Sequence, residues 1–175
     1  MPDLSHHESH VLALILKWQP TTAYFVRKAL VRGPASTFSD SPGSVYAIVE
    51  RLRRRGLVEA RKDEGDGRGT EFLTCSDAGR EAVRDWIRAV EPVDLLPEDP
   101  WRTRMAHADA LTPDERLAWL LALRDAAEGQ AALLPGMIDV AGDPCHSAAL
   151  ENARMLNEAR LAWIDRIIAR QFGGR

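Results

Sequence analysis

The sequence has little cysteine, no long apolar run and no segment that resembles a signal peptide. Its two cysteines, Cys75 and Cys145, lack metal-ligand spacing and would remain thiols in a reducing compartment. A disulfide framework is therefore excluded, and each cysteine is either an inert thiol or a redox switch. No run approaches the roughly 18 apolar residues that span a bilayer. Residues 1–10 lack the basic-then-apolar order of a signal peptide. These absences predict a cytoplasmic protein that does not bind membranes.

The signatures of common enzyme classes are also missing. We find no nucleophile elbow, zincin helix, phosphate loop or dinucleotide fingerprint, so we predict neither enzymatic activity nor a cofactor. His6 and His10 have the i, i+4 spacing at which two imidazoles on one helix share a zinc ion. Because the sequence fixes no third ligand, we interpret them as part of a capped helix start and predict no metal site.

Charge is distributed unevenly along the chain. The formal net charge of −3 argues by itself against a nucleic-acid partner. Residues 1–90, however, carry 14 Lys and Arg against 12 Asp and Glu, whereas residues 91–175 carry 9 against 14. Residues 27–62 hold 9 basic and 3 acidic side chains, a local excess that can neutralise phosphates. The N-terminal half is therefore predicted to bind a polyanion.

Local signals predict three helices at the start of the chain. Ser5 and Glu8 have capping-box spacing and begin the first helix, and Thr22 caps the second. Ser41, followed by proline, begins a third helix that ends at Gly56. Apolar residues recur in this third helix at three-four-seven spacing, which predicts a buried stripe. The stripe consists of Val45, Ile48, Val49 and Leu52.

Two short strands and a fourth helix follow. The segment LVEARKD alternates apolar and polar residues, DEGDGRG supplies a turn, and TEFLTC returns as a second strand. Ser76 caps the fourth helix. Its predicted apolar stripe consists of Val83, Trp86, Ile87 and Val90. Three helices, a hairpin and a helix are the order of a winged helix-turn-helix domain, which we assign to residues 1–90.

A proline-rich connector, EPVDLLPEDP, leads to a second domain over residues 91–175. Thr112 marks the start of a helix to about Leu134. The last helix, over about residues 144–171, has apolar residues on more than half its circumference, which predicts a homodimer built mainly by this helix and the first. The predicted dimerisation residues are Leu156, Trp163, Ile164, Ile167 and Ile168. The predicted fold is mostly α with a small β-hairpin wing (α+β), a winged helix-turn-helix followed by an α-helical dimerisation domain.

The N-terminal half resembles the PadR family of bacterial transcriptional regulators over about residues 9–90. The resemblance rests on SPGSVYAIVERLRRRGLVEARKD, the glycine-rich tip, FLTCSDAGREAVRDW and the upstream PTTAYFVRKAL. The most similar positions are Pro42, Gly43, Tyr46, Leu52, Gly56, Ser76 and Gly79. The chain departs from the family at Ala23, where a glycine is common, and at residues 53–55, where three arginines replace an acidic run. The C-terminal half is similar to larger members that dimerise through a multi-helix tail.

The third helix is the element expected to enter the DNA major groove. Base contacts are expected from residues near its start, Ser44, Tyr46 and Ala47. Ser41, Gly43 and the neighbouring backbone amides offer a phosphate seat at the helix N-terminus. Further phosphate contacts are expected from Lys28, Arg51, Arg54, Arg55 and Arg68. Positive charge also favours a helix C-terminus, so a solvated helix end is the alternative explanation of the arginine run.

The resemblance implies a ligand-responsive repressor that binds operator DNA as a homodimer. In related regulators a cavity between the dimer halves can hold aromatic or multidrug-like effectors. Trp18 and Trp101 are the candidates for such contacts, because each flanks a helix end near the expected domain junction. Two alternatives remain open: a winged-helix adaptor that binds a protein partner, and a dimer that binds small molecules without binding DNA.

Overall fold

The computed structural model describes residues 4–32, 42–63, 69–96, 98–139 and 142–173. The chain divides into two compact units, which we call unit 1 (Met1–Leu95) and unit 2 (Leu96–Arg175). Within the described ranges, unit 1 contains α1 (His6–Trp18), α2 (Ala23–Arg32), α3 (Pro42–Arg54), β1 (Val58–Lys62), β2 (Glu71–Cys75), α4 (Asp77–Arg88) and α5 (Pro92–Leu95). Unit 2 contains α6 (Pro100–Met105), a 3-10 turn (Ala108–Ala110), α7 (Pro113–Asp139) and α8 (Pro144–Phe172).

The ends of the unit 1 helices follow local sequence signals. At the start of α1, the Glu8 amide donates to Ser5 Oγ at 3.3 Å and the Ser5 amide donates to Glu8 Oε2 at 3.1 Å, which forms the predicted capping box. After α3, Gly56 has a φ of 69°, and the Leu57 amide donates to the Leu52 carbonyl at 3.0 Å. This left-handed turn reverses the chain into β1.

The hairpin is attached to the helices through the connection between α1 and α2. Strands β1 and β2 pair antiparallel with Val58 opposite Cys75. Thr21 exchanges two backbone hydrogen bonds with Leu73, at 3.1 and 2.6 Å. It therefore pairs with β2 as an isolated antiparallel bridge. Gln19 Oε1 also accepts from the Cys75 amide at 2.8 Å. These bonds fix the wing relative to the helix-turn-helix.

Apolar side chains from α1, α2, α3 and the hairpin form the core of unit 1. The predicted stripe of α3 is buried, and it packs with Val11, Leu12 and Ile15 of α1. The predicted stripe of α4 is not buried as a whole. Val83 joins the core, but Ile87, one turn further along the same face, is exposed, and Val90 is exposed beyond the end of the helix at Arg88. The core therefore reaches only the first two turns of α4, where Gly79 and Val83 are buried.

Unit 2 is built on the packing of α7 against α8. Leu120, Leu123 and Ile164 form its buried centre. Asn157 is also buried, and its Nδ2 donates to the Ala127 carbonyl at 2.8 Å, which satisfies the amide between the two helices. Helix α7 continues beyond the predicted end near Leu134 to Asp139. The helix therefore continues past the proline at position 135, although that residue removes one backbone donor.

The observed architecture confirms the predicted fold class, a mostly helical chain with a two-stranded hairpin. The proline-rich connector contains the four-residue helix α5 and the boundary between the two units. Among the helices of the described ranges, none is long and apolar enough to cross a membrane. The assignment of DNA binding to one domain and dimerisation to the other stays a prediction.

Candidate nucleic-acid interface

Helix α3 presents one face to the core and the other to solvent. The side chains that alternate with the buried stripe are exposed, namely Tyr46, Ala47, Glu50, Arg51 and Arg54. Ser44 is half-buried in the first turns of the helix. The exposed face thus carries an aromatic ring near the helix start and basic groups towards its end, an arrangement that suits base edges and phosphates respectively.

Arg51 is exposed but is not isolated. Its Nε donates to Glu8 Oε1 at 2.8 Å, and its side chain remains 47% exposed. The Glu8 side chain is only 10% exposed. The hydrogen bond from Arg51 is the main cause that lowers the pKa of Glu8 below its ordinary value, with help from the bonds of Ser5 and against the effect of burial. Glu8 is therefore ionised at neutral pH.

The other arginines at the end of α3 differ in their surroundings. Arg53 Nη1 lies 3.5 Å from Glu50 Oε2 and 3.4 Å from Glu71 Oε2, which links α3 to β2. Arg55 Nη1 lies 3.9 Å from Glu8 Oε2. Arg54 is exposed and makes no ion pair with any described residue. Of these side chains, Arg54 is thus the one most available to an external anion.

Further cations lie on α2, where Lys28 was predicted to contact phosphate, and on the hairpin, where two others were not predicted. Lys28 is exposed on α2, and Arg61 and Lys62 are exposed on β1. None of these three forms an ion pair within the part of the chain that the structure describes. The predicted contacts Ser41 and Arg68 lie outside the described residues, and Gly43 lies in the first turn of α3.

The sequence interpretation missed the second role of Glu8. In the local pattern, the capping box fully explains a glutamate three residues after Ser5. The contact between Glu8 and Arg51 joins residues 43 apart, so no local spacing predicts it. The one available signal was the excess of arginine over acidic residues at the end of α3, which indicates that some of those charges need partners elsewhere.

The two tryptophans predicted to contact an effector lie in different units. In unit 1, Trp18 is half exposed and its ring meets Phe25 edge-on at a centroid distance of 5.7 Å. In unit 2, Trp101 packs on the core, and the Arg104 guanidinium lies 4.7 Å from its ring centroid. Each ring therefore has intrachain neighbours, and the effector role stays a prediction.

The residues predicted for dimerisation are divided between surface and core. Leu156 is 62% exposed. Trp163, Ile167 and Ile168 are partly buried against the core of unit 2. Ile164 is fully buried between α7 and α8, so its side chain has no surface left for a partner. The apolar face of α1, predicted to share in the dimer, is likewise covered by the core of unit 1.

The histidines and cysteines show no arrangement that would add chemistry. His6 lies edge-on to Trp86, and burial, followed by the charges of His6 and His7, lowers the pKa of His10. Among the described residues, no group of three or more His, Cys, Asp or Glu side chains is placed to hold a metal ion. Burial raises the pKa of the Cys75 thiol to about 11, which makes it a poor nucleophile, whereas Cys145 is exposed.

Comparison with known protein families finds one match, which lies within unit 1. Residues 11–85 match the Transcriptional regulator PadR-like family, which confirms the resemblance found in the sequence. This family consists of transcriptional regulators and not of enzymes, in agreement with the missing catalytic motifs. No protein with a curated function matches the sequence.

Solved structures extend the likeness to the whole chain. Bacillus subtilis PadR in complex with operator DNA has a TM-score of 0.79 at 16% identity, covering 95% of this chain and 99% of that one. The same protein in complex with p-coumaric acid has a TM-score of 0.73 at 16% identity, covering 94% of each chain. The Vibrio cholerae virulence activator AphA has a TM-score of 0.70 at 16% identity, covering 96% and 99%. At these identities the likeness establishes the fold.

Proposed function

The chain carries a PadR-like transcriptional regulator domain at residues 11–85, and from this premise we propose that it is a sequence-specific, DNA-binding regulator. It acts as a homodimer in the cytoplasm and responds to a small aromatic ligand. The observation that carries the proposal is the exposed face of α3, where Tyr46 and Arg54 project from a helix whose opposite face is fixed in the core.

We assign recognition of the DNA sequence to the start of α3. We assign base contacts in the major groove to Ser44, Tyr46 and Ala47, and a close approach of the backbone to a phosphate to Gly43. A helix held by a buried apolar stripe keeps its register in the groove without help from DNA. Base contacts from this segment would therefore decide which sequence is bound.

Affinity is assigned to cations around α3. Lys28, Arg54, Arg61 and Lys62 are exposed and form no ion pair with a described residue, so their charge is available to phosphates. Arg51 and Arg55 belong to the same surface but share the Glu8 carboxylate. We assign Arg68, in the glycine-rich segment between the strands, to the same phosphate-binding group.

Regulation is assigned to a ligand that changes the separation of two recognition helices in the dimer. The Bacillus subtilis protein was solved in one complex with operator DNA and in another with p-coumaric acid, which supports an aromatic acid as the ligand class. Trp18 and Trp101 are our candidates for the contacts. Repression is the simplest output, since a protein on an operator blocks polymerase, although AphA is described as an activator.

A mobility-shift assay on the DNA upstream of its own gene tests the proposal. We expect a discrete complex whose affinity falls steeply with salt and exceeds that for a scrambled duplex. Added p-coumaric acid, or a related phenolic acid, should release the DNA. Salt-insensitive or absent DNA binding would instead favour the winged-helix adaptor. Tryptophan quenching by the acid without any DNA complex would favour a small-molecule-binding dimer.

A further inference from the structure

The Glu8 carboxylate is fixed to α1 on one side and to α3 on the other. Its Oε2 accepts from the Ser5 amide at 3.1 Å and from Ser5 Oγ at 3.2 Å. Its Oε1 accepts from Arg51 Nε at 2.8 Å. Because the side chain is nearly buried and its Oε2 accepts two bonds from Ser5, the α1 cap holds it in place on the side away from the arginine.

The contact with Arg51 uses one edge of the guanidinium. The bond is made by Nε, and the Nη groups make no hydrogen bond to any described residue. Arg53 shows the opposite case, since its Nη1 is the atom that faces Glu50 and Glu71. A planar guanidinium held at Nε has lost much of its torsional freedom, while its Nη pair remains free to bind an anion.

We propose that Glu8 is a positioning residue for DNA binding, which holds Arg51 so that its Nη groups meet a backbone phosphate. This inference rests on the proposed function. The competing possibility is that Glu8 neutralises Arg51 and weakens DNA binding. Two observations favour positioning: the carboxylate is too buried to approach DNA itself, and it is bonded to Nε of Arg51, which leaves the Nη groups to an anion.

Glu8→Gln is the informative variant, because glutamine also completes a capping box and α1 should keep its start. We expect binding to a duplex of about 30 base pairs, roughly three helical turns, to weaken about tenfold, as for loss of one charge-assisted contact. The slope of log affinity against log salt concentration should decrease in magnitude by about one, as expected for the loss of one phosphate contact. Arg51→Ala should have the same two effects, and the double variant should be no worse than either single variant.

The chain offers a matched control in its second capping box. Glu115 accepts from the Thr112 amide at 2.8 Å and forms no ion pair with a described residue. Glu115→Gln is therefore the same substitution at the same helical position without an arginine, and it should leave DNA binding and its salt dependence unchanged. Arg54→Ala should weaken binding equally with Glu8 or Gln at position 8, because Arg54 does not contact that carboxylate.

Three results would overturn the inference. Tighter binding and a steeper salt dependence in Glu8→Gln would show that Glu8 competes with DNA. Additive effects of Glu8→Gln and Arg51→Ala would show that the two residues act separately. If Glu8→Gln does not fold by circular dichroism, Arg51→Lys decides, since it keeps the charge and loses the Nη pair: binding like the wild type rejects positioning. No DNA complex with the wild-type chain would reject the proposed function itself.

Discussion

At the scale of single residues, one glycine controls how the wing and α4 meet. Ser76 Oγ donates to the Gly56 carbonyl at 2.7 Å and accepts from the Gly79 amide at 3.0 Å. The Ser76 amide donates to the Leu57 carbonyl at 3.1 Å. A Cβ at position 79 would lie well inside van der Waals contact with that same Leu57 oxygen. The first turn of α4 therefore sits directly on the backbone that leaves α3.

Gly79→Ala should destabilise unit 1, because the atom it would contact is backbone and cannot rotate away. We expect a loss of about 1–3 kcal/mol in the free energy of unfolding, as for an overpacked core site, measured by urea denaturation at one fixed protein concentration. Gly129→Ala is the control. A Cβ at this site on α7 meets open space, so alanine should stabilise the helix by about 0.5–1 kcal/mol. Equal effects at the two sites would contradict this packing argument.

At the scale of elements, α3 and the wing are expected to contribute differently to DNA binding. Tyr46 is exposed near the start of α3, where we propose base contacts. Arg61 and Lys62 project from β1, opposite Phe72 and Glu71 of β2, and a hairpin cation of this kind meets phosphates. The first group should decide which sequence is bound, and the second how strongly any sequence is bound.

Tyr46→Ala should therefore reduce the difference in binding free energy between the operator and a scrambled duplex by about 1–3 kcal/mol. It should leave the salt dependence of binding unchanged. Arg61→Ala combined with Lys62→Ala should weaken both duplexes equally and reduce the salt slope by about two. Fluorescence anisotropy over a salt series measures both quantities. Loss of specificity in the β1 variant, or an unchanged ratio in Tyr46→Ala, would contradict the assignment.

Elements whose signals are local could be predicted from the sequence. The caps at Ser5, Ser76 and Thr112 are confirmed by their hydrogen bonds. They could be predicted because each cap joins residues only three positions apart in the sequence. The buried stripe of α3 was predicted for the same reason. The pattern of α4 did not show which of its apolar residues the core reaches: Ile87 stays exposed, and Val90 lies beyond the end of the helix. Burial depends on neighbours that are distant in sequence.

The predicted site was limited in the same way. The exposed basic and aromatic face of α3 follows from its periodicity, but the contact of Arg51 with Glu8 crosses from one helix to another. Ile164 was predicted for a dimer surface, yet α7 covers it within the same chain. The apolar pattern of a helix indicates how much of its surface must be buried. It does not indicate which of its residues are buried within the same chain and which by a partner.

At the scale of the whole molecule, unit 2 leaves large apolar side chains uncovered on both of its long helices. In the described residues, Leu121 and Leu133 on α7, and Met155 and Leu156 on α8, are exposed although the centre of the unit is closed. We infer that these exposed apolar side chains belong to an interface. A twofold dimer would cover it and would place two recognition helices for the two halves of an operator.

Leu156→Glu should therefore convert the dimer to a monomer, since a carboxylate in an apolar interface loses its hydration without gaining a partner. Size-exclusion chromatography with light scattering at micromolar concentration measures the change. Leu95→Glu is the matched control, because Leu95 is still more exposed, at 75%, but belongs to unit 1. It should leave the mass unchanged. DNA affinity should fall with the dimer, because a monomer contacts one half-site. A Leu156→Glu variant that remains dimeric would place the interface away from this part of α8, and a monomeric wild type would reject the homodimer.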